Sequence, residues 1–380
     1  MQPSYDLAMV RDAVRAFVVD NIAPHAAAWD RDHTFPKEAL EGLAALGCFG
    51  IAVPEQWEGA GLDYTAMAVI LEEIAAGDGA TSTIISVNNC PVCSILMAWG
   101  NDQQKERWLK PLASGRMLGA FCLTEPQVGS DASALRTTAN PRADGSGYVI
   151  NGVKQFITSG KHGDVAIVMA VTDRAAGKRG ISAFLVPTDS PGYQVARLEA
   201  KLGQHASDTA QVRFEDCFVP KENLIGEAGA GYRIALSGLE GGRIGIASQA
   251  VGMARAAFDA ALLYARQREA FGQPIFNHQA VQFRLAEMAT QIEAARQLIA
   301  HAARLKDAGL PCLKEAAMAK LFASEMAERV CSDAIQVHGG YGYVSDFPVE
   351  RIYRDVRVCQ IYEGTSDIQK ILIGRALAAG

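Results

Sequence analysis

The sequence predicts an α+β chain of three parts, in the order helical, β-rich and helical. Apolar residues follow a helical spacing at both ends of the chain, and the pattern changes to short β-type runs after Gly119. The chain has 380 residues, 49% of them hydrophobic, which is enough for a large buried core. We expect domains at residues 1–118, 119–227 and 228–380.

The N-terminal part has the pattern of successive amphipathic helices. Apolar residues recur every three or four positions from Leu7, which favours a helix that reaches about Trp29. Glycines and prolines separate the helices that follow, as is typical of helix ends. The further predicted helices are Pro36–Leu46, Tyr64–Ala76, Thr81–Trp99 and Gln103–Leu112.

The middle part has the pattern of short strands. Asn151-Gly152 is a pair suited to the positive φ angles of a tight turn, so we expect it to join Tyr148–Ile150 to a strand that starts at Val153. Runs rich in Val, Ile, Phe and Tyr predict the other strands. These are Val165–Val171, Ile181–Val186, Tyr193–Leu198 and Gln211–Phe214.

The C-terminal part predicts a bundle of long helices. One helix is expected from Tyr232 to Arg268, and a second keeps a three-four apolar spacing from Val281 to Leu305. A third runs from Leu313 to Val337 and ends at Gly339-Gly340. Long helices joined by short loops are typical of antiparallel bundles.

Composition argues against several classes of partner. The 36 basic and 42 acidic residues leave a net charge of -6, which disfavours nucleic acid. The longest unbroken apolar run, Val165–Val171, is too short to span a membrane. Eight scattered cysteines and a start without a targeting pattern favour a reducing compartment. We expect a bacterial cytoplasmic protein, with a processed mitochondrial matrix protein as the alternative.

Common catalytic signatures do not occur. The sequence has no GxGxxG, no phosphate-binding GxxxxGK[ST] and no HExxH, so a Rossmann, P-loop or zincin site is disfavoured. Its one CxxC, Cys90-Pro91-Val92-Cys93, lies in an apolar helical segment without a second pair. We interpret these cysteines as packed thiols and expect no metal site.

Several longer motifs occur in a fixed order. The first is Phe121–Pro126 with Gly129-Ser130-Asp131, and the next are Arg268–Gly272 and His278-Gln279-Ala280. Two more follow near the end, Gln336–Gly342 and Ile361–Ser366. In this order they resemble the signature regions of the acyl-CoA dehydrogenase family. The resemblance implies a middle β-barrel-like domain and a C-terminal four-helix-bundle domain.

The resemblance implies an FAD enzyme that desaturates an acyl-CoA between its α and β carbons. Glu363 matches the family's catalytic base, and a carboxylate desolvated in a dry pocket gains the proton affinity that this role needs. Some relatives carry the base just before an arginine that matches Arg243. This sequence has Gly242 there, which leaves Glu363 as the base.

The same match assigns the substrate site. Glu240 and Arg243 fall where relatives contact the acyl-CoA, although a structural pairing within the helix is a serious alternative. Ser130 faces both flavin and substrate in this assignment. The residues assigned to substrate binding are Ser130, Glu240, Arg243, Tyr362 and Gly364.

The match also assigns the FAD site. Around the isoalloxazine ring it places Phe121, Leu123, Thr124, Ser130, Phe156 and Thr158. Many relatives have Trp where this chain has Phe156, so the stacking area is smaller here. Arg268 suits the pyrophosphate and in this family comes from a neighbouring subunit, which implies a dimer and commonly a tetramer of two dimers. The remaining cofactor residues are Phe271, Gln279, Gln336, Gly340 and Thr365.

The leading hypothesis is therefore a dehydrogenase of short-chain acyl-CoA, straight or branched, that passes electrons to an electron-transfer flavoprotein. Lys201-Leu202-Gly203 and Gly241–Ala250 look most like butyryl-CoA-type members. An acyl-CoA oxidase or flavin monooxygenase that uses oxygen is the alternative. A flavin-binding or DNA-associated relative without turnover is disfavoured by the acidic charge and by Glu363.

Overall fold

Helices make up the chain before residue 119 in the computed structural model, which describes residues 5–379. Asp6 and Asp63 cap two of these helices, since each carboxylate accepts from backbone amides of the first turn. The α-helices are α1 (Leu7–Asn21), α2 (Ala26–Asp32), α3 (Lys37–Ala45), α4 (Tyr64–Gly77), α5 (Gly79–Val87), α6 (Ser94–Trp99), α7 (Asp102–Gln104) and α8 (Lys110–Ala113).

Two of the predicted N-terminal helices are interrupted. The expected helix from Leu7 to Trp29 ends at Asn21 and restarts at Ala26, with Pro24 in the gap. The expected helix Thr81–Trp99 is broken over Asn88–Cys93, where Cys90 has extended backbone angles before Pro91. In both places proline lacks the amide hydrogen that a continuous helix needs.

The stretch Gly79–Trp99 meets the length and hydropathy of a membrane-crossing helix, yet 83% of its apolar window is buried inside the protein. Its apolar residues pack against strands of the middle part and against α9.

The middle part is an eight-stranded sheet with the order β6-β7-β3-β2-β4-β5-β8, and β1 runs parallel to β4. Apolar residues fill both of its faces, one against the N-terminal helices and one within the middle part. The strands are β1 (Gly119–Cys122), β2 (Thr138–Pro141), β3 (Gly147–Thr158), β4 (Val165–Val171), β5 (Ile181–Pro187), β6 (Tyr193–Leu198), β7 (Thr209–Pro220) and β8 (Leu224–Ile225).

The predicted turn at Asn151-Gly152 is wrong, because both residues lie inside β3. The register against β7 shifts there, and the Asn151 side chain exchanges hydrogen bonds with Asp216. Gly152 has a φ of 154°, and a Cβ there would collide with Thr137. The glycine therefore serves a bulge and a close approach to Thr137 instead of a hairpin turn.

The C-terminal part contains the predicted four-helix bundle. Its helices are α9 (Gly231–Gln267), α10 (Gln279–Asp307), α11 (Leu313–His338) and α13 (Ser366–Ala378). The first three share a core rich in alanine, and α13 packs on α11. A short hairpin of β9 (Glu269–Ala270) and β10 (Gln273–Pro274) joins α9 to α10, and α12 (Val349–Val356) precedes α13. Helix α9 also packs on α4, so it connects the bundle to the N-terminal helices.

Candidate active site

The loop Tyr362–Thr365, which enters α13, carries the predicted base. Glu363 has a φ of 52° and Gly364 a φ of 91°, so two successive residues are left-handed. Thr365 then caps α13 by accepting from the amide of Ile368. Glu363 is not a glycine, so its positive φ is strained, and strained residues of this kind are concentrated at functional sites.

The Glu363 carboxylate points into the protein. Its Oε2 atom is fully buried and has no hydrogen-bond partner among residues 5–379. It lies over Gly242 on α9, where an added Cβ would collide with Oε2. Burial raises the pKa of Glu363 to about 7, against the opposing charges of Lys320 and Arg243.

Arg243 lies beside this carboxylate on α9. It is buried, and its Nε and Nη1 atoms have no partner in the part of the chain that the structure describes. Burial lowers the pKa of Arg243, and the carboxylates of Glu363 and Glu240 oppose that effect. Two buried N–H groups without acceptors are typical of a site that awaits a ligand.

Glu240 is paired with a different helix from the one expected. Its Oε1 lies 2.7 Å from the Lys306 ammonium of α10 and accepts from the Cys312 thiol at 3.5 Å. The structural alternative thus takes the form of a pair between α9 and α10, whereas no hydrogen bond or salt bridge joins Glu240 to Arg243 among the described residues. Glu240 and Lys306 are each about a quarter exposed, so both can reach a ligand.

Tyr362 anchors the base loop through a buried chain of hydrogen bonds. Its hydroxyl donates to Gln249 Oε1 at 3.1 Å, and Gln249 Nε2 donates to Thr83 Oγ1 at 2.9 Å. Thr83 in turn donates to Gln204 Oε1 at 2.8 Å. The chain links the loop to α9, to α5 and to the segment between β6 and β7.

The residues predicted around the flavin ring lie on β1, β3 and the loop after β1. Phe121 is on β1, and Leu123 and Thr124 follow it. The backbone amide of Gln155 on β3 donates to the Thr124 carbonyl at 2.8 Å, which holds the loop against the strand. The predicted residues Phe156 and Thr158 lie on this same strand β3.

Phe156 has an unusual conformation for an aromatic residue. Its φ is 60° and its side chain is 62% exposed, next to an irregularity in the β3–β7 register. A positive φ is rare for bulky residues, and a largely exposed ring is typical of a surface that another group covers. Ser130 is also exposed, in the loop between β1 and β2.

A separate cleft of about 620 Å³ contains two of the predicted pyrophosphate residues. Arg268 and Gly340 line it with Tyr264, His338 and Tyr341. A Cβ at Gly339 or Gly340 would meet no atom within 4 Å, so the backbone there is open to a ligand. The predicted residues Phe271, Gln279 and Gln336 do not line this cleft and are exposed.

Three family models match the chain along its length. They are the N-terminal domain of acyl-CoA dehydrogenase over residues 4–116, the middle domain over 120–217 and the C-terminal domain over 229–378. The chain belongs to the acyl-CoA dehydrogenase family.

Relatives of known name and structure agree with this assignment. The rat mitochondrial short-chain specific acyl-CoA dehydrogenase is 48% identical over 365 residues, which are 96% of this chain and 88% of the rat protein. The butyryl-CoA dehydrogenase structure from Megasphaera elsdenii has a TM-score of 0.95 and 39% identity over the whole of both chains. A chain from a structure described as an electron transferring flavoprotein of Acidaminococcus fermentans has a TM-score of 0.97 and 43% identity, again over both whole chains.

Acyl-CoA dehydrogenases are FAD-dependent flavoproteins in general, and the residues present fit that cofactor. The exposed Phe156 ring offers a surface for a flat aromatic group, and Arg268 beside an open glycine backbone suits a pyrophosphate. None of the predicted ring-side residues lines the Arg268 cleft. Within one chain, the ring-side residues and Arg268 therefore do not share this cleft.

Two buried lysines beside the predicted site residues were not found from the sequence. Lys320 on α11 donates to the Gly364 carbonyl at 2.7 Å. Lys154 on β3 lies 2.9 Å from Glu125 and also donates to the Leu123 carbonyl at 3.0 Å. The available signal was a lysine at a core position of an otherwise apolar pattern, since lysine is almost never fully buried without a partner.

The cysteines conform to the interpretation of packed thiols. Cys90 and Cys93 are both buried and free, and burial raises the pKa of Cys90 to about 11. No group of three or more potential metal ligands occurs within residues 5–379. The CxxC thus sits in the protein core, with Cys90 Sγ 3.8 Å from the Tyr64 hydroxyl.

Proposed function

We propose that this chain is an FAD-dependent dehydrogenase of short-chain acyl-CoA, straight or branched, that forms the trans-2-enoyl-CoA. The observation that carries the proposal is the Glu363 carboxylate, which is buried, lacks a partner for Oε2 among the described residues and lies over Gly242. A carboxylate kept dry in this way is suited to take a weakly acidic proton from carbon.

Glu363 is the base in the proposed mechanism. It takes the proton from the α carbon of the thioester, and its pKa of about 7 keeps it partly ionised at neutral pH while raising its affinity for that proton. FAD held by the residues assigned to it would supply the acceptor for the hydride that leaves the β carbon. Arg243 and Lys320 supply nearby positive charge, which compensates part of the cost of a buried carboxylate.

The substrate is held by the residues around the base. Arg243 offers two buried donors, and Glu240 with Lys306 forms a polar pair that suits the amide-rich pantetheine end. Backbone groups of Tyr362 and Gly364 lie next to the reacting carbons in this proposal, and Ser130 lies at the flavin edge. Short-chain preference is supported by the names of the similar rat and Megasphaera proteins.

The cofactor is proposed to bind between two chains. Phe121, Leu123, Thr124, Phe156 and Thr158 would surround the ring of one FAD. Arg268, Phe271, Gln279, Gln336 and Gly340 would receive the pyrophosphate and adenosine of the FAD of a neighbouring subunit, with Thr365 completing the site. The absence of the ring-side residues from the Arg268 cleft is consistent with a dimer that shares its cofactors, and we propose a tetramer of two such dimers.

The first experiment is an anaerobic titration of the purified holoenzyme with butyryl-CoA, followed by the visible flavin spectrum. We expect butyryl-CoA to bleach the oxidised-flavin band at a rate that a rapid-mixing instrument resolves, and palmitoyl-CoA to bleach it far more slowly. A flavin that stays oxidised with butyryl-CoA, isobutyryl-CoA and 2-methylbutyryl-CoA would contradict the proposal. A chain that cannot be reconstituted with FAD would contradict it as well.

A second measurement tests the proposed electron acceptor, an electron-transfer flavoprotein. After reduction by butyryl-CoA, the flavin is expected to reoxidise slowly in air and rapidly when that protein is added. Rapid reoxidation by oxygen alone would favour an oxidase or monooxygenase instead.

The proposed cytoplasmic location agrees with the similarity to bacterial proteins.

A further inference from the structure

Lys320 is a buried cation that the proposed reaction does not yet use. Its side chain is fully buried on α11, beside the small core residues Ala316, Ala319 and Ala323. No carboxylate within residues 5–379 forms a salt bridge with it. Transfer of an ammonium group out of water costs several kcal/mol, so a lysine in this position needs a specific partner.

That partner is the carbonyl of Gly364, which accepts from Lys320 Nζ at 2.7 Å. The same carbonyl accepts from Gln369 Nε2 at 2.8 Å, and the Glu363 carbonyl accepts from Gln369 at 3.3 Å. Lys320 comes from α11 and Gln369 from α13. Two buried donors from two helices thus converge on one turn.

The turn that they hold is the left-handed pair Glu363-Gly364. A left-handed non-glycine residue costs on the order of 1–3 kcal/mol and persists only where its surroundings over-determine it. Tyr362 and Thr365 anchor the two ends of this loop, whereas Lys320 and Gln369 bond to the backbone carbonyls of the turn itself. That backbone conformation sets the direction of the Glu363 side chain and so places the carboxylate over Gly242.

Lys320 also lies near enough to Glu363 for its positive charge to oppose the effect of burial on the pKa of that carboxylate. The other titratable or charged groups around these two residues are Arg243 and Glu240 from α9, Cys359 and Tyr362 from the segment before α13, and Cys90 and Tyr64 from the N-terminal helices. Burial keeps the thiols and phenols neutral at pH 7. Lys320 and Arg243 are therefore the cations that compensate the Glu363 charge.

We propose that Lys320 is a positioning residue for the catalytic base, which fixes the Glu363 turn through the Gly364 carbonyl and stabilises the ionised carboxylate by its charge. The inference rests on the proposed role of Glu363. In the proposed function, Arg243 contacts the substrate. Lys320 acts on Glu363 only through its hydrogen bond to the Gly364 carbonyl and through its positive charge. Burial lowers the pKa of Lys320 to about 8, so it remains largely charged at pH 7.

The test compares wild-type, Lys320→Met and Lys370→Met holoenzymes. Methionine matches the length of lysine without donor or charge, and Lys370 is the control because it is an exposed lysine on the neighbouring α13. The protonation of Glu363 is followed by infrared difference spectra between each protein and its Glu363→Gln counterpart. Flavin reduction by butyryl-CoA is followed in the same proteins as a function of pH.

In Lys320→Met, the midpoint of the Glu363 titration is expected to rise by about one pH unit or more, because a nearby positive charge is lost. The maximal rate of flavin reduction at pH 7 is expected to fall about tenfold or more, with little change in the butyryl-CoA concentration that gives half the rate. Lys370→Met is expected to match the wild type in both. A Lys320→Met protein with the wild-type midpoint and rate would overturn the proposal.

The titration does not depend on turnover, so the two proposals fail separately. If the wild type does not reduce its flavin but the midpoint still moves in Lys320→Met, the proposed function is wrong and the coupling of Lys320 to Glu363 stands. If the wild type is active and the midpoint does not move, only the role of Lys320 is wrong. Should Lys320→Met not fold, Lys320→Gln makes the same comparison, because it also removes the charge but keeps a polar group.

Discussion

Two buried lysine–glutamate neighbourhoods are arranged differently, one beside the loop predicted to hold the flavin ring and one beside the loop of the proposed base. On the flavin side, Lys154 and Glu125 contact each other directly at 2.9 Å. On the base side, Lys320 bonds to the Gly364 carbonyl and leaves Glu363 Oε2 without a partner among the described residues. The same two residue types therefore produce a closed ion pair in one place and an available carboxylate in the other.

The flavin-side pair is satisfied on both sides. Glu125 accepts from the backbone amides of Arg136 and Thr137 as well as from Lys154, and Lys154 also donates to the Leu123 carbonyl. Burial alone would raise the pKa of Glu125, but the Lys154 charge and these hydrogen bonds lower it below its ordinary value. This carboxylate is a structural anchor that stays ionised.

The base-side carboxylate has the opposite balance. Its cations lie close enough to oppose burial but do not bond to Oε2, so burial dominates and the pKa rises to about 7. A buried lysine lies near both glutamates, so the difference between their pKa values comes from the hydrogen bonds that Glu125 accepts and Glu363 Oε2 lacks.

The largest expected effect comes from removal of the base. Glu363→Gln keeps the shape of the side chain but removes its ability to take a proton, so flavin reduction by butyryl-CoA should slow by at least about three orders of magnitude. FAD content and acyl-CoA binding should persist, as checked by absorbance and by equilibrium titration. Glu125→Gln is the counterpart on the flavin side. Glu125→Gln should lower the free energy of unfolding more than it lowers the rate of flavin reduction. A Glu363→Gln protein that still reduces its flavin would contradict the assignment of Glu363 as the base.

The second effect is a loss of stability on the flavin side. Lys154→Met leaves Glu125 as a buried charge without its cation, which should lower the free energy of unfolding by about 3–5 kcal/mol. Urea denaturation of the holoenzyme measures the change. The double variant Lys154→Met/Glu125→Gln should recover much of the loss, since the uncompensated charge is gone. Equal stability of the single variant and the wild type would show that the pair is not an anchor.

The third effect probes the room that the base needs. In Gly242→Ala the new methyl group would collide with Glu363 Oε2, which should displace the carboxylate and slow flavin reduction about a hundredfold. Gly374→Ala on α13 is the matched control, because a Cβ there meets no atom within 4 Å. Rapid-mixing measurements of both variants test this. Equal rates would mean that the carboxylate is free to move away from α9.

Much of this arrangement could be predicted from the sequence, and the part that could not has a physical reason. Glu363 and Gly242 lie within continuous motifs, so neighbouring residues indicate their roles. Lys320 and Lys154 contact the loops 44 and 29 residues away, and nothing close to them in sequence shows those contacts. Asn151-Gly152 failed as a turn because the pair also suits a bulge, and only the approach of Thr137 decides between the two.

The smallest effect is the pH dependence of the rate of flavin reduction, which should follow the titration of Glu363. At butyryl-CoA concentrations well below saturation, the rate of flavin reduction reports the free enzyme. It should rise with pH, reach half its maximum near pH 7 and then level off, because Glu363 must be ionised to accept the proton. FAD absorbance per chain should stay constant over the same range, which excludes loss of the cofactor. A rate that is flat from pH 6 to 8 would contradict the raised pKa.

The raised pKa of Glu363 and the lowered pKa of Glu125 predict opposite effects of pH on the free energy of unfolding. Folded Glu363 holds its proton up to about pH 7, whereas the unfolded chain releases it near the ordinary value of 4.5, so its contribution to stability falls as pH rises between these values. Folded Glu125 has a lowered pKa, so its contribution is present above the ordinary value and is lost as the solution becomes more acidic. Urea denaturation of Glu363→Gln and the wild type from pH 5 to 8 isolates the Glu363 contribution, because the Glu125 contribution changes only at lower pH. The stability advantage of Glu363→Gln over the wild type should grow with pH, because glutamine has no proton to lose.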